Sequence, residues 1–238
     1  MDDAYIKIRQ LTKLYPMGRE VVRALAGIDL DIPRKSMTVI MGPSGSGKST
    51  LLYLLGGLDR PTSGTIQVDG LSVETMDENL LAEYRRNRIG FVFQSFNLVS
   101  SMSTRENVEF PMRFAGVNDR QRKERAVAML RDVGLENWQR HKPTELSGGQ
   151  QQRAAIARAL INNPDVILAD EPTGNLDSST GFTIMELLSE LHQQGRTVVV
   201  VSHDPRMLRF ASHSVYLLDG LSVSPEEYEA ATATSFKL

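Results

Sequence analysis

Cysteine is absent from the chain, which excludes disulfides, thiolate metal sites and cysteine nucleophiles and fits a reducing compartment. Histidine is scarce: His141, His192, His203 and His213 are scattered without ligand spacing, so no structural metal is expected. No stretch holds the roughly eighteen apolar residues of a membrane-spanning helix. The opening Met1-Asp2-Asp3-Ala4-Tyr5 lacks the basic-then-apolar layout of a signal peptide. If the protein works at a membrane, another chain is expected to span it. A formal net charge of −2 supplies no basic field for nucleic acid, and none is expected as a partner. The basic cluster Arg120 to Arg125 is interrupted by Glu124 and reads as a solvated helix face. Internal repeats and low-complexity segments are also missing.

What is present centres on Gly42 to Thr50, GPSGSGKST, between the apolar run Met37 to Met41 and the helical-looking Leu51 to Leu55. A strand, a glycine-rich loop and a helix in that order form a phosphate cradle. Gly42, Gly45 and Gly47 allow backbone angles that side chains forbid, so successive N–H groups from Ser44 through Thr50 turn inward, Ser46 included. The following helix adds its unpaired N–H groups and positive dipole end. Lys48 is expected to reach the outer phosphates and the Ser49 hydroxyl to ligate Mg²⁺. Glycine-rich turns also join strands to helices in proteins that bind nothing, but Lys48 and Ser49 in register point to a nucleotide triphosphate.

Taken in order, Ile6 to Leu11 alternates as a strand, Tyr15 to Gly18 reads as a turn, and Val21 to Ile32 is extended again. Thr65 to Gly70 is a further alternating strand, Asp77 to Arg88 is helical, and Ile89 to Phe93 is a short buried strand. From Ser95 to about Ile161 the pattern is helix without strand. Thr104 is expected to cap a helix through Phe114, and Asn118 or Asp119 a second that Gly134 ends. Val166 to Ala169 and Thr197 to Val201 are unbroken apolar runs separated by a helix near Thr180 to Gln194, the mark of parallel strands covered on both faces. Ser214 to Leu218 is a last strand, and Ser224, Pro225 and Glu227 start a tail helix. The fold class is therefore α/β: a doubly wound core with a mixed, largely parallel sheet, an N-terminal antiparallel β subdomain and an inserted α-helical subdomain. One domain is expected, with residues 1–94 and 162–220 as nucleotide-binding core, 95–161 as helical insert and 221–238 as tail.

Two further groups carry chemistry. Asp170 and Glu171 end a buried run at the carboxyl edge of the sheet, where an acid can hold Mg²⁺ through its water shell and a second can position an attacking water. Alone, the pair is equally a solvated strand end. Leu146 to Gln150, LSGGQ, precedes a helix over Gln151 to Ile161 and makes a second phosphate-ready surface from Ser147, Gly148, Gly149 and Gln150. One nucleotide needs one such loop, which leaves the second for the nucleotide of another copy.

In these motifs and their order, from about Ile6 to Gly220, the chain resembles the nucleotide-binding subunit of an ATP-binding cassette (ABC) transporter, whose fold is that of a phosphate-loop NTPase. LSGGQ is similar to that family's signature, Gly42 to Thr50 to its Walker A loop, Val166 to Asp170 to Walker B and Glu171 to the catalytic glutamate. The resemblance implies that Gln94 is the Q-loop glutamine that senses Mg²⁺ and links to a membrane subunit. It implies further that Asn175-Leu176-Asp177 is the D-loop, His203 the switch histidine at the γ-phosphate, and Tyr15 the aromatic that stacks on adenine. ATP and Mg²⁺ are the implied ligands, and the implied partner is a second copy facing head to tail, each ATP lying between Walker A of one and the signature of the other.

Gly57 to Gly64, Arg88 to Leu98 and Ala169 to Asp177 look like the macrolide-exporter and lipoprotein-releasing branch. That likeness implies an integral-membrane permease with an extracytoplasmic domain, docking on roughly Ser95 to Phe114, and a location on the cytoplasmic face of the inner membrane through that permease alone. Val99 to Ser103 is more serine-rich than the branch's usual phrase. DNA-repair and chromosome-organising ATPases share two of the motifs but insert a long coiled coil where about a hundred residues separate Thr50 from Leu146 here. The rival inside the family is an ATPase that drives a cell-wall or division machine and moves no cargo.

Overall fold

The computed structural model describes residues 4–18 and 20–235. In chain order the elements are β1 (Ala4–Met17), β2 (Glu20–Pro33), β3 (Met37–Met41), α1 (Lys48–Leu55), β4 (Ser63–Val68), β5 (Leu71–Ser72), α2 (Glu78–Arg88), β6 (Ile89–Phe93), α3 (Thr104–Phe114), α4 (Asp119–Asp132), α5 (Gly148–Leu160), β7 (Val166–Asp170), α6 (Ser178–Gln193), β8 (Thr197–Ser202), β9 (His213–Leu218), β10 (Leu221–Val223) and α7 (Pro225–Ser235). The class is α/β, with parallel strands, an antiparallel N-terminal sheet and helices. The chain divides into two compact units, residues 1–81 with 199–238, and residues 82–198.

In the first unit β1 pairs antiparallel with β2 on one side and β4 on the other. Ile6 and Ile8, two apart, face inward with Leu25, Ile28, Ile32, Ile66 and Val68. Gln10 adopts φ 47° and the register shifts between Ile8 and Leu11, a bulge that returns Leu11 to the buried face. The strand runs on through Tyr15 and Pro16, where the proline had suggested a turn; Pro16 lies beside Val21 near the hairpin end, where a missing N–H is tolerated. β3 is buried throughout and pairs parallel with β9, which folds back on β10. That hairpin end was not anticipated from the sequence. The tail helix starts as expected: Ser224 N donates to Glu227 at 2.8 Å and Glu227 N to Ser224 Oγ at 3.2 Å.

In the second unit β6 and β7 pair parallel from Ile89 beside Val166 to Phe93 beside Asp170. Helices α3, α4 and α5 enclose Val108, Met112, Ala126, Leu130, Val133, Leu135, Ala154, Ala157 and Ile161. Truncating the fully buried Leu130 to alanine costs about 2–5 kcal/mol through lost burial and the cavity left behind. The cap of α3 is Ser103, one residue before the expected Thr104, because Ser103 and Glu106 complete a reciprocal capping box while the Thr104 hydroxyl is engaged by the His141 carbonyl. Helix α5 starts at Gly148, three residues earlier than the sequence suggested, because Ser147 serves as its cap.

Candidate nucleotide site

The first unit carries the phosphate loop. Gly45 at φ 82° and Gly47 at φ 97° occupy the left-handed region, and a Cβ on Gly47 would collide with the Ala24 carbonyl and sit 2.8 Å from Leu25. Gly47 is also the N-cap of α1 and brings no side chain to its first-turn N–H groups. Asn118, Ser147 and Asp177 each accept one such N–H at the starts of α4, α5 and α6. At the start of α1, then, no N-cap side chain competes with an anion for the first turn.

Lys48 is 4% exposed, and its Nζ donates to the Gly42 and Pro43 carbonyls at 2.8 Å each, which holds the ammonium across the loop. Buried Ser46 Oγ has no hydrogen-bond partner among the described residues, a cost that a phosphate oxygen would relieve. A Cβ on Gly42 would collide with that same hydroxyl. The cradle thus fits a polyphosphate through its glycine backbone and the unpartnered Ser46 hydroxyl. Behind it, Gly220 N donates to the Ser46 carbonyl at 3.2 Å and Ala26 N to the Gly220 carbonyl at 2.8 Å, so the turn after β9 buttresses the loop.

Tyr15 lies in the same unit. Its hydroxyl donates to Asp59 Oδ2 at 2.7 Å and also meets Thr50, the last residue of the loop motif. Burial, with the Asp59 carboxylate next, pushes the phenol above its ordinary pKa. β8 lies beside β3, and exposed His203 follows its last residue. Asp204, held below the usual carboxylate range first by Arg206, caps the following turn.

The second unit gathers the remaining polar residues. Because Phe93 is registered with Asp170, Gln94 and Glu171 each follow the last paired residue of adjacent parallel strands, about 5 Å apart at one carboxyl edge. Asp170 is buried. Glu171 has φ 43°, a left-handed backbone that a long side chain occupies at a cost, and its carbonyl accepts from Gly174 N at 3.0 Å. A Cβ on Gly174 would sit 2.6 Å from Gln94 Nε2, and Asn175 Nδ2 donates to the Gln94 carbonyl at 3.0 Å. Asp177 caps α6, and hydrogen bonds from the Ser179 and Thr180 hydroxyls and the Thr180 N–H hold its carboxyl far below the usual range.

Ser147 opens α5 with a capping box: Gln150 N donates to Ser147 Oγ at 3.3 Å and Ser147 N to Gln150 Oε1 at 2.9 Å. Gln151 N bonds the Ser147 carbonyl at 2.8 Å, so Gly148 and Gly149 supply the N–H groups of the first turn not bound within the helix. Arg158, which no motif marks, donates to the carbonyls of Phe96, at 2.9 Å, and Asn97. Those two residues carry φ 60° and 50°, and the guanidinium braces the turn that follows Gln94. An asparagine, tolerant of that region, was the available signal. Asp59 and Lys13 carry no such local signal.

The ABC transporter family model matches residues 25–174. An uncharacterized ABC transporter ATP-binding protein of Methanocaldococcus jannaschii, MJ0796, is 49% identical over 220 residues, covering 90% of this chain and 94% of its own. The macrolide export ATP-binding/permease protein MacB of Vibrio parahaemolyticus is 48% identical over 220 residues, 92% of this chain; the match spans about a third of MacB, 34%. The dimeric structure of a post-hydrolysis state of the MJ0796 cassette bound to ADP and Pi superposes with a TM-score of 0.86 at 47% identity, covering 92% of this chain and 97% of that one. No helix among the described residues is long and apolar enough to cross a membrane.

Proposed function

This chain belongs to the ABC transporter family and is an ATP-binding, ATP-hydrolysing subunit; from that premise we propose that two copies face head to tail and close on two ATP molecules to drive a separate membrane permease. The observation that carries the pairing is the presence of two helix starts suited to phosphate. Gly47 brings no side-chain cap to the first turn of α1, and Gly148 and Gly149 open α5 with N–H groups that have no acceptor within the helix. One polyphosphate engages one of these within a copy, and the other serves the nucleotide of the partner.

In this reading the loop N–H groups, Lys48 and Ser46 hold the phosphates, and Tyr15 meets the base. Ser49, Asp170 and Gln94 would hold Mg²⁺, which would supply charge neutralisation for the phosphates. The Glu171 carboxylate accepts a hydrogen bond from the attacking water and orients it, while His203 contacts the γ-phosphate. Ser147, Gly148, Gly149 and Gln150 meet that phosphate from the other copy, with Asp177 near the same interface. Loss of the γ-phosphate removes the charge that joins the copies, and the pair loosens.

Permease docking on residues 95–114 is supported by an exposed aromatic step: Phe114 is 66% exposed and stands edge-on to Phe110 with ring centroids 5.3 Å apart. The work done in this reading is export, which the name of MacB states for that relative, or force transmission through the permease, and its proposed place is the cytoplasmic face of the inner membrane. Glu171→Gln tests the reading. The variant is expected to form an ATP-dependent dimer in size-exclusion chromatography with light scattering and to lose hydrolysis. A variant that hydrolyses like wild type removes Glu171 from the mechanism.

A further inference from the structure

Lys13 and Tyr15 stand two apart on β1 and so share a face. Opposite them the chain leaves α1 through Gly57 at φ 63°, with Gly57 N bonded to the Leu54 carbonyl and Leu58 N to the Tyr53 carbonyl. This reversal brings Asp59 back to the strand, and the next residues are stitched to it: Thr62 N donates to the Thr12 carbonyl at 2.8 Å and Leu14 N to Thr62 Oγ1 at 3.0 Å.

Both oxygens of Asp59 are then engaged. Oδ1 accepts from Lys13 Nζ and from Arg60 N, each at 2.7 Å, and Oδ2 accepts from the Tyr15 hydroxyl at 2.7 Å. Lys13 Nζ, also bonded to the Arg60 carbonyl at 2.7 Å, lies 4.8 Å from the centroid of the Tyr15 ring. The ammonium is drawn over one face of the phenol, where the ring quadrupole favours it. Its side chain is only 12% exposed, so the cation is lodged there and does not sweep through solvent. A tyrosine with its hydroxyl tied and one face covered has lost most of its rotamer freedom before any ligand arrives.

We propose that Asp59 is a positioning residue for the nucleobase: through the Tyr15 hydroxyl and Lys13 it fixes the phenol with one face occupied by the cation, so that the base of ATP stacks on the opposite face of a ring already in place. This rests on the reading of Tyr15 as the base platform. Preorganisation of this kind lowers the entropy lost on binding and acts on the base alone, because the phosphates are held by the loop. The directions of the two pKa shifts agree with a persistent bond. Against the desolvation of partial burial, hydrogen bonds from Lys13 and Tyr15 hold the Asp59 carboxyl below its usual range, while Tyr15 is raised.

The test compares ATP with magnesium tripolyphosphate, which has no base, by isothermal titration calorimetry on the full chain. Asp59→Ala and Tyr15→Phe are each expected to weaken ATP about three- to tenfold, the cost of immobilising one side chain anew, and to leave tripolyphosphate unchanged. The double variant is expected to be no weaker than the worse single one, because both remove the same bond. Asp59→Asn, which keeps an acceptor and the side-chain shape, should fall between. Tyr15→Ala separates the two claims. If it leaves ATP affinity unchanged, both the base platform and the role of Asp59 are overturned. If it weakens ATP while Asp59→Ala and Tyr15→Phe do not, the platform stands and the positioning role is overturned. Effects that multiply, or that weaken tripolyphosphate equally, overturn it too.

Discussion

A Cβ on Gly149 would lie 2.5 Å from the Cγ2 methyl of Thr180, so the signature loop and the first turn of α6 touch where only a glycine fits. The glycine serves packing inside one copy before it serves any phosphate. Gly149→Ala is expected to destabilise the fold by about 1–3 kcal/mol through overpacking. Thr180→Ser removes that methyl and keeps the hydroxyl that bonds Asp177 Oδ2 at 2.6 Å. Adding it to Gly149→Ala should restore the melting temperature. In a Glu171→Gln background the doubly altered loop should dimerise with ATP much as the unaltered loop does, because the new methyl points at residue 180 and leaves the backbone N–H groups in place. Thermal melts and chromatography read the two effects separately.

Glu171 stores backbone strain at the residue expected to orient water. With φ 43° it occupies a region that costs a non-glycine residue on the order of 1 kcal/mol. Glu171→Gly should therefore melt at or above the wild-type temperature while losing hydrolysis, whereas Glu171→Gln keeps the strain and loses only the carboxylate. A Glu171→Gly variant that melts well below Glu171→Gln would show that the φ value carries no penalty here.

Acid stability should report on Asp177. Its folded-state carboxyl titrates far below the ordinary 3.8, so the charged form is the one that the Ser179 and Thr180 donors favour. The contribution is fully present above the unfolded-state pKa and fades as pH falls toward the folded value. Asp177→Asn is expected to be less stable than wild type at pH 7, and the gap should narrow as pH drops from about 4 toward 2. Urea denaturation at a series of pH values measures it; a gap that widens toward acid contradicts the assignment.

Much of the fold and of the site was legible because certain positions admit few residue types. The left-handed backbone at Gly45 and Gly47 demands glycine, and the burial of all five residues of β3 demands a run that is apolar but for Thr38, whose hydroxyl meets Ser36. Boundaries were less legible where one residue has two meanings. Gly148 and Gly149 read as a loop before the helix, yet with Ser147 as cap they form the first turn of α5. Pro16 read as a turn and is the end of a hairpin strand. Least legible were pairs distant in sequence. Asp59 meets Tyr15 across 44 positions and Arg158 meets Phe96 across 62, and no local pattern marks either.

In the proposed pair, one nucleotide is completed by two copies. In a Glu171→Gln background, one tagged chain would carry Lys48→Ala and an untagged chain Ser147→Arg, which loses a helix cap worth about 1 kcal/mol and blocks the signature surface. The tag distinguishes mixed from like pairs on chromatography with light scattering. Neither chain is expected to dimerise with itself on adding ATP, whereas the mixture is expected to form a mixed pair, joined where the intact phosphate loop of one faces the intact signature of the other. A mixture that stays monomeric while the unaltered Glu171→Gln chain dimerises, or either altered chain pairing with itself, would contradict this pairing.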